Sequence, residues 1–209
     1  MSGTVDSADP RPILVTGGAG FIGSNLADRL AEKGHRVIVY DALARPGVER
    51  NLSWLEQRHG DRVERIVADI RDAERLAGVV HRAKAVFHLA AQVAVTTSLN
   101  DPRSDFEINI LGTLNLLEAV RTASAPIPVI FASTNKVYGD LADVPLVEKG
   151  ELHVPKDTAL RERGIDEQRR LDFHTPYGCS KGAADQYVLD YARSYGVPAA
   201  VLRLSLIHI

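Results

Sequence analysis

The apolar run at 13–17 leads directly into Gly17-Gly18-Ala19-Gly20-Phe21-Ile22-Gly23, and then into a stretch with helical spacing. In that stretch Ile22, Leu26, Leu30 and Ala31 share one face. Strand, glycine turn and helix in this order restrict what the chain can fold into more than any other feature. Gly17 permits the tight turn. Gly20 lets a backbone approach a pyrophosphate with no Cβ in the way, and Gly23 lets helix and strand pack closely. Phe21 and Ile22 open the helix, whose N-terminus offers free N–H groups and a positive dipole end to phosphates. The spacing is GxxGxxG rather than GxGxxG, and the plain alternative is a tight turn with no ligand.

The same alternation continues. Strands are expected at 36–41, 63–67, 85–89, 127–132 and 199–203, with helices at 21–33, 48–58, 72–82, 103–123 and 176–195. Strands apolar on both faces, alternating with helices, imply a parallel sheet covered on both sides, the doubly wound α/β pattern. Residues 139–175 break the rhythm. They are polar, charged and irregular, and are expected as an insertion at the mouth of a site. Residues 1–11, polar and proline-containing with no apolar core, are expected as a disordered tail and not a signal peptide. The domain proper is then 12–203.

Composition narrows the function classes. A net charge of -2 and 45% hydrophobic residues give no nucleic-acid or membrane-surface footprint. No apolar run is long enough to span a bilayer. The single cysteine, Cys179, permits no internal disulfide and fits the cytoplasm.

Asp41 ends the second strand, where a carboxylate can accept both ribose hydroxyls of NAD and would repel the extra phosphate of NADP. Arg45 nearby softens that preference. Asp69 and Ile70 follow the third strand, within reach of an adenine edge. Leu89, Ala90 and Ala91 end the fourth, where small residues leave room for a cofactor. Each has a plain alternative as a cap or as packing.

Tyr177-Gly178-Cys179-Ser180-Lys181 has YxxxK spacing, which on a helix puts the phenol and the ammonium on one face. The lysine is expected to lower the phenol's pKa, so that Tyr177 acts as general acid or base, and to hold the nicotinamide ribose hydroxyls. Thr134, at the carboxyl end of the fifth strand, can hydrogen-bond a reacting sugar oxygen. The seven histidines show no metal-ligand spacing, and no metal is expected. His88 reads as a satisfied core histidine, His174 as structural at the edge of the site, and Cys179 as packing. There is neither a Walker A motif nor a GxSxG elbow.

TGGAGFIG, Asp41, Asp69, HLAA, Thr134 and YxxxK in this order resemble the extended short-chain dehydrogenase/reductases, NAD-binding enzymes with a Rossmann fold, over residues 12–203. Three longer runs narrow the likeness: 88–121, STNKVYGDL at 133–141, and 171–193; NLSWL at 51–55 fits too. They resemble the CDP-paratose 2-epimerase (CDP-tyvelose epimerase) branch of that family. Nucleotide-sugar 4,6-dehydratases carry an Asp-Glu pair after the threonine, where this chain has Asn135-Lys136. Without those acids, dehydration lacks its acid and base. Ala42, where many relatives have Asn, touches only adenosine contacts. The resemblance implies transient oxidation and re-reduction at C2 of a CDP-linked 3,6-dideoxyhexose, with NAD not consumed. Tyr177 would move the hydroxyl proton, with Thr134 and Lys181 assisting. It also implies a homodimer built on the helices at 103–123 and 176–195.

The family continues for more than a hundred residues past this point, into the lobe that grips the nucleotide sugar. The final run, Leu204 to Ile209, can be encoded by CTGTCTCTTATACACATC, a transposon mosaic end used in sequencing adapters. Native sequence is therefore expected to stop at Arg203, and this C-terminally truncated chain to bind NAD weakly without turning over substrate. Two other readings stay open: another nucleotide-sugar epimerase or reductase of the same family, and a non-catalytic dinucleotide-binding protein.

Overall fold

The computed structural model describes residues 9–205. Its elements run β1 (Ile13–Thr16), α1 (Phe21–Glu32), β2 (Val37–Asp41), α2 (Val48–His59), β3 (Val63–Val67), α3 (Ala73–Val80) and β4 (Ala85–His88). Then follow α4 (Val95–Asn100), α5 (Pro102–Phe106), a π turn (Glu107–Leu111), α6 (Gly112–Arg121) and β5 (Val129–Thr134). The last are β6 (Leu146–Lys149), β7 (Leu152–Pro155), α7 (Thr158–Arg163), α8 (Thr175–Tyr195) and β8 (Ala199–Leu204).

Six strands form one parallel sheet in the order β3-β2-β1-β4-β5-β8. Period-two alternation divides its residues between two cores. Leu14, Ile38, Tyr40, Val86 and Phe131 pack under α3, α6 and α8 with Leu76, Val80, Leu116, Leu117 and Val188. Val15, Val37 and Val39 face the other way, onto Ala27 and Ala31 of α1 and Leu52 and Leu55 of α2. Each such aliphatic side chain taken fully out of water contributes about 1.5–3 kcal/mol. The doubly wound expectation holds. Strand order reverses between β1 and β4, which opens a crevice at the carboxyl ends of the strands.

The expected elements differ from the observed ones in instructive places. β5 starts at Val129, because Pro128 has no N–H to give the ladder. It runs to Thr134, paired with β8 as far as Leu204. The single helix expected at 103–123 is α5 and α6 joined by the π turn. α4 was not expected.

The insertion at 139–175 is not irregular throughout. β6 and β7 form an antiparallel hairpin with Val147 opposite Val154, turned by Gly150 at φ 65. Asp157 caps α7 by accepting the Leu160 amide at 2.9 Å. Leu141, Val144, Leu146, Pro155, Leu160 and Ile165 line a cavity of about 260 Å³ between them. Alternation too weak to read by eye hides a two-strand ribbon.

Part of the tail expected at 1–11 is tied down. Asp9 is ion-paired to Arg11 at 2.8 Å, and its carbonyl accepts Lys84 Nζ at 2.8 Å. Residues 1–8 lie outside the described residues. Of 204–209, Leu204 closes β8 opposite Thr134, and 206–209 lie outside the described residues.

Candidate active site

The turn after β1 is built from close backbone approach. Gly17 has φ +67, and a Cβ on it would lie 2.7 Å from the Ala90 amide nitrogen, just beyond β4. A Cβ on Gly23 would collide with the Gly17 carbonyl oxygen, so only glycine lets α1 descend onto the turn. Gly18, to which the sequence assigned no role, is as constrained: a Cβ there would lie 2.8 Å from the Val15 carbonyl oxygen and 2.9 Å from Val39 Cγ1. α1 begins at Gly20 with no side-chain cap and no acidic residue in its first turn. Its N-terminal amides and dipole are therefore free to meet an anion.

Two residues brace the turn from β2 and α2. Asp41 Oδ2 accepts the Ala19 amide at 3.0 Å, and its Oδ1 accepts the Leu43 amide at 2.9 Å. Asn51 Nδ2 donates to the Ala19 carbonyl at 2.8 Å, a role the sequence reading missed. Asp69 is held in a bidentate pair by Arg71, at 2.7 Å from NH2 and 3.0 Å from Nε, which keeps its carboxyl below the usual range. Ile70 is buried against Gly112.

The residues read from the sequence as cofactor-binding or catalytic line one cleft of about 840 Å³ at the carboxyl edge of the sheet. Gly17, Gly20, Phe21, Ile22, Gly23, Asp41, Asp69 and Ile70 form one end; Leu89, Ala90 and Ala91 lie along it; Thr134, Tyr177 and Lys181 form the other. Arg45, Arg71, Gln92, Asn135 and Lys136 also line it. No residue of the insertion at 139–175 is among those that line the cleft.

α8 carries its functional groups on its buried stripe. Tyr177, Ser180, Lys181, Ala184, Asp185, Val188 and Tyr191 follow the 3–4 spacing of a core-facing helix. Ser98 of α4 receives the Tyr177 amide at 3.2 Å and fixes where α8 starts. Thr134 ends β5 and also caps the following turn, accepting the Lys136 amide at 3.2 Å.

The electrostatics differ from expectation. Burial pushes the Tyr177 phenol up, the Thr134 hydroxyl pulls the other way, and Lys181 does not lower it. Lys181 is itself 4% exposed, and burial drives its pKa down to about 7. Its Nζ donates to the Ala132 carbonyl at 2.7 Å and sits 4.2 Å from the Phe131 ring centroid. The ammonium is thus anchored to β5, with two hydrogens left for a ligand.

A buried polar network behind the cleft was not legible in the sequence. His88 lies between Thr16 Oγ1 at 2.7 Å and Thr113 Oγ1 at 3.0 Å. Thr113 spends its own proton on the Asn109 carbonyl at 2.6 Å, so it accepts from His88 Nε2–H. Nδ1 then accepts from Thr16. His88 is a satisfied core histidine, and burial drives its pKa down to about 3. The π turn presents Asn109 to Gln92, Asp105 and Ser180 together. Such turns recur at functional sites, but nothing in a residue pattern marks an i→i+5 bond.

At the ends of the insertion, His174 bridges Asp140 at 2.9 Å and Asp172 at 3.3 Å, which raises its pKa and supports a structural role. Cys179 is exposed rather than packed, because it lies on the outer face of α8. Among the described residues no helix is long and apolar enough to cross a membrane, and no group of three or more His, Cys, Asp or Glu could hold a metal ion.

A family model described as "NAD dependent epimerase/dehydratase family" matches residues 13–207. The chain is 47% identical over 195 residues to the CDP-paratose 2-epimerase of Salmonella typhi, covering 92% of this chain and 56% of that protein. It is 34% identical to a putative UDP-glucose 4-epimerase of Methanocaldococcus jannaschii, covering 94% and 56%. Among solved structures it is similar to the UDP-glucose 4-epimerase of Thermus thermophilus in complex with NAD, with a TM-score of 0.72 and 36% identity, covering 92% of this chain and 54% of that one. The chain spans about half the length of the curated relatives it matches.

Proposed function

The chain belongs to the NAD dependent epimerase/dehydratase family, and from that premise we propose that it is the cofactor-binding part of a nucleotide-sugar epimerase acting at C2 of a CDP-linked 3,6-dideoxyhexose, converting CDP-paratose to CDP-tyvelose. The observation that carries the chemistry is the convergence of Thr134, Tyr177 and Lys181 with the glycine turn in one cleft. The choice of sugar and carbon follows the relative at 47% identity. Asn135 and Lys136 beside Thr134, in place of two acids, favour epimerisation over dehydration.

The residues fit NAD. The Gly17–Gly23 turn is a cradle that a Cβ would fill, and the α1 N-terminus is uncapped. Asp41 keeps lone pairs for ribose hydroxyls beyond its two backbone bonds. Phe21 and Ile22 would hold the pyrophosphate, Asp69 and Ile70 the adenine, and Leu89, Ala90 and Ala91 would leave room for the dinucleotide between them. When bound, NAD supplies a hydride acceptor that becomes the donor for the return step. Tyr177 handles the proton of the sugar hydroxyl at its Oη, and Thr134 orients that hydroxyl. The Lys181 ammonium, anchored on the Ala132 carbonyl, would hold ribose hydroxyls with its remaining hydrogens.

We extend the reading to a homodimer of the complete protein in the cytoplasm. Leu99, Phe106, Leu111 and Tyr187 are exposed on α4, the α5–α6 region and α8, an apolar surface suited to a second copy.

The test uses the complete protein with CDP-paratose and NAD in heavy water, followed by proton NMR. The expected outcome is CDP-tyvelose with hydrogen retained at C2. Deuterium at C2 would replace hydride transfer by deprotonation, and no conversion with NAD bound would assign the site to another sugar nucleotide.

A further inference from the structure

We propose that Arg71 is a positioning residue for the purine end of the cofactor: it locks the Asp69 carboxylate so that one acceptor position is kept for the 6-amino group of adenine and a 6-oxo purine is refused. The inference rests on the reading of Asp69 as the adenine contact.

The turn after β3 is held from several directions. The Asp69 carbonyl accepts the Tyr40 hydroxyl at 2.8 Å and the Asp72 amide at 3.1 Å. The carbonyls of Ile70 and Arg71 both accept Asn115 Nδ2, each at 3.2 Å. Tyr40 comes from β2 and is buried, and Asn115 comes from α6. Every carbonyl of Asp69-Ile70-Arg71 therefore has a partner, and the backbone that carries the carboxylate is fixed.

The carboxylate is fixed as well. Arg71 gives Oδ1 its backbone N–H at 2.8 Å and its Nε–H at 3.0 Å, and gives Oδ2 its NH2 group at 2.7 Å. Glu107 Oε2, 3.4 Å from NH1, steadies the guanidinium in turn. A two-pronged pair of this kind sets the plane of a carboxylate, which a lone ammonium does not. An ionised carboxylate has about four acceptor positions, shared equally by its oxygens. Oδ1 has both of its own filled. Oδ2 has one partner among the described residues, which leaves one position open. Asp69 and Arg71 both line the cleft.

The chemistry of that position selects. An ionised carboxylate accepts and never donates. Adenine presents an N–H donor at its 6-position, where guanine and hypoxanthine present a carbonyl oxygen. Against a locked carboxylate that oxygen sets two acceptors face to face. A carboxylate free to swing away would let it in.

The experiment uses the complete protein and measures, by competition for the site, the affinities of NAD and of its hypoxanthine analogue. Wild type is expected to favour NAD by at least about tenfold. Arg71→Met is expected to bring that ratio below about threefold, with the hypoxanthine dinucleotide held as well as before or better. Asp69 and Arg71 are 38% and 41% exposed, so the variant is expected to fold. Equal affinities in wild type would remove Asp69 from adenine, and the proposal with it. A wild-type preference that survives in Arg71→Met would leave Asp69 its place and overturn the role of Arg71. A matched fall in both affinities would overturn it too, since general loosening of the turn, or stacking of the guanidinium on the purine face, weakens both ligands alike.

Discussion

Asp185 receives both arms of the Arg203 guanidinium, at 2.9 Å from Nε and 3.0 Å from NH2, and so ties the helix of Tyr177 and Lys181 to strand β8. The carboxylate is fully buried, and Arg203 NH1 also donates to the Tyr138 hydroxyl at 3.0 Å. Removing one member strands the other's charge. Asp185→Ala is expected to destabilise the chain by about 3–5 kcal/mol. Arg203→Lys is expected to recover little, since an ammonium cannot reproduce the two-pronged geometry. Urea unfolding of the two variants against wild type measures both.

Gly17→Ala tests the turn. The substitution puts a Cβ at φ +67 and 2.7 Å from the Ala90 nitrogen, against backbone that cannot swing aside. Strain and overpacking together are expected to cost roughly 2–4 kcal/mol. Thermal unfolding gives the loss, and titration calorimetry with NAD is expected to show no measurable binding.

Asp41→Asn separates bracing from recognition. The amide oxygen can still accept one of the two backbone N–H groups, so stability is expected to fall by only about 1 kcal/mol. The repulsion of a 2′-phosphate is removed, so the ratio of NAD to NADP affinity is expected to fall at least about tenfold. Competitive binding of the two dinucleotides to the variant reads this ratio.

Tyr177→Phe and Lys181→Met divide the labour in the complete protein. The first is expected to reduce kcat by about 10²–10⁴ while NAD affinity stays within about threefold. The second is expected to weaken NAD as well, because the two free ammonium hydrogens are lost. Calorimetry on both variants, beside NMR assays, distinguishes the roles; equal NAD affinity in the two would remove Lys181 from cofactor binding.

The buried imidazole of His88 sets an acid limit on stability. Its pKa falls from 6.5 in the unfolded chain to about 3 in the folded one. Below about 6.5 the unfolded state binds a proton that the folded state refuses, so stability is lost as pH falls through that window. The slope is up to about 1.4 kcal/mol per unit. His35 acts in the same direction and His174 in the opposite one. Urea midpoints at pH 7, 6 and 5 are expected to fall in wild type and to flatten in His88→Asn.

The sheet, the turn and the members of the cleft were legible because each rests on local spacing: glycines three apart at 17, 20 and 23, short runs apolar on both faces, and phenol and ammonium four apart on α8. What the sequence did not show depends on distant partners. Asn51 reaches the turn from α2, and Gln92, in the loop after β4, meets Asp105 and Asn109 at the π turn that joins α5 to α6. The phenol's shift was misjudged for the same reason. Spacing places Lys181 beside Tyr177, but burial of both outweighs their proximity.

The hydrogen-bond string through His88 has a direction. It reads from the Ala90 amide to Thr16, to His88, to Thr113 and out to the Asn109 carbonyl, each hydroxyl giving one proton and taking one. Reversing any link would set two donors or two acceptors against each other in the interior. Thr16, His88 and Thr113 are therefore a single unit of inheritance, spread over two strands and a helix. A chimera that grafts the first strand and turn of this chain onto another sheet must carry the histidine and the second threonine with it.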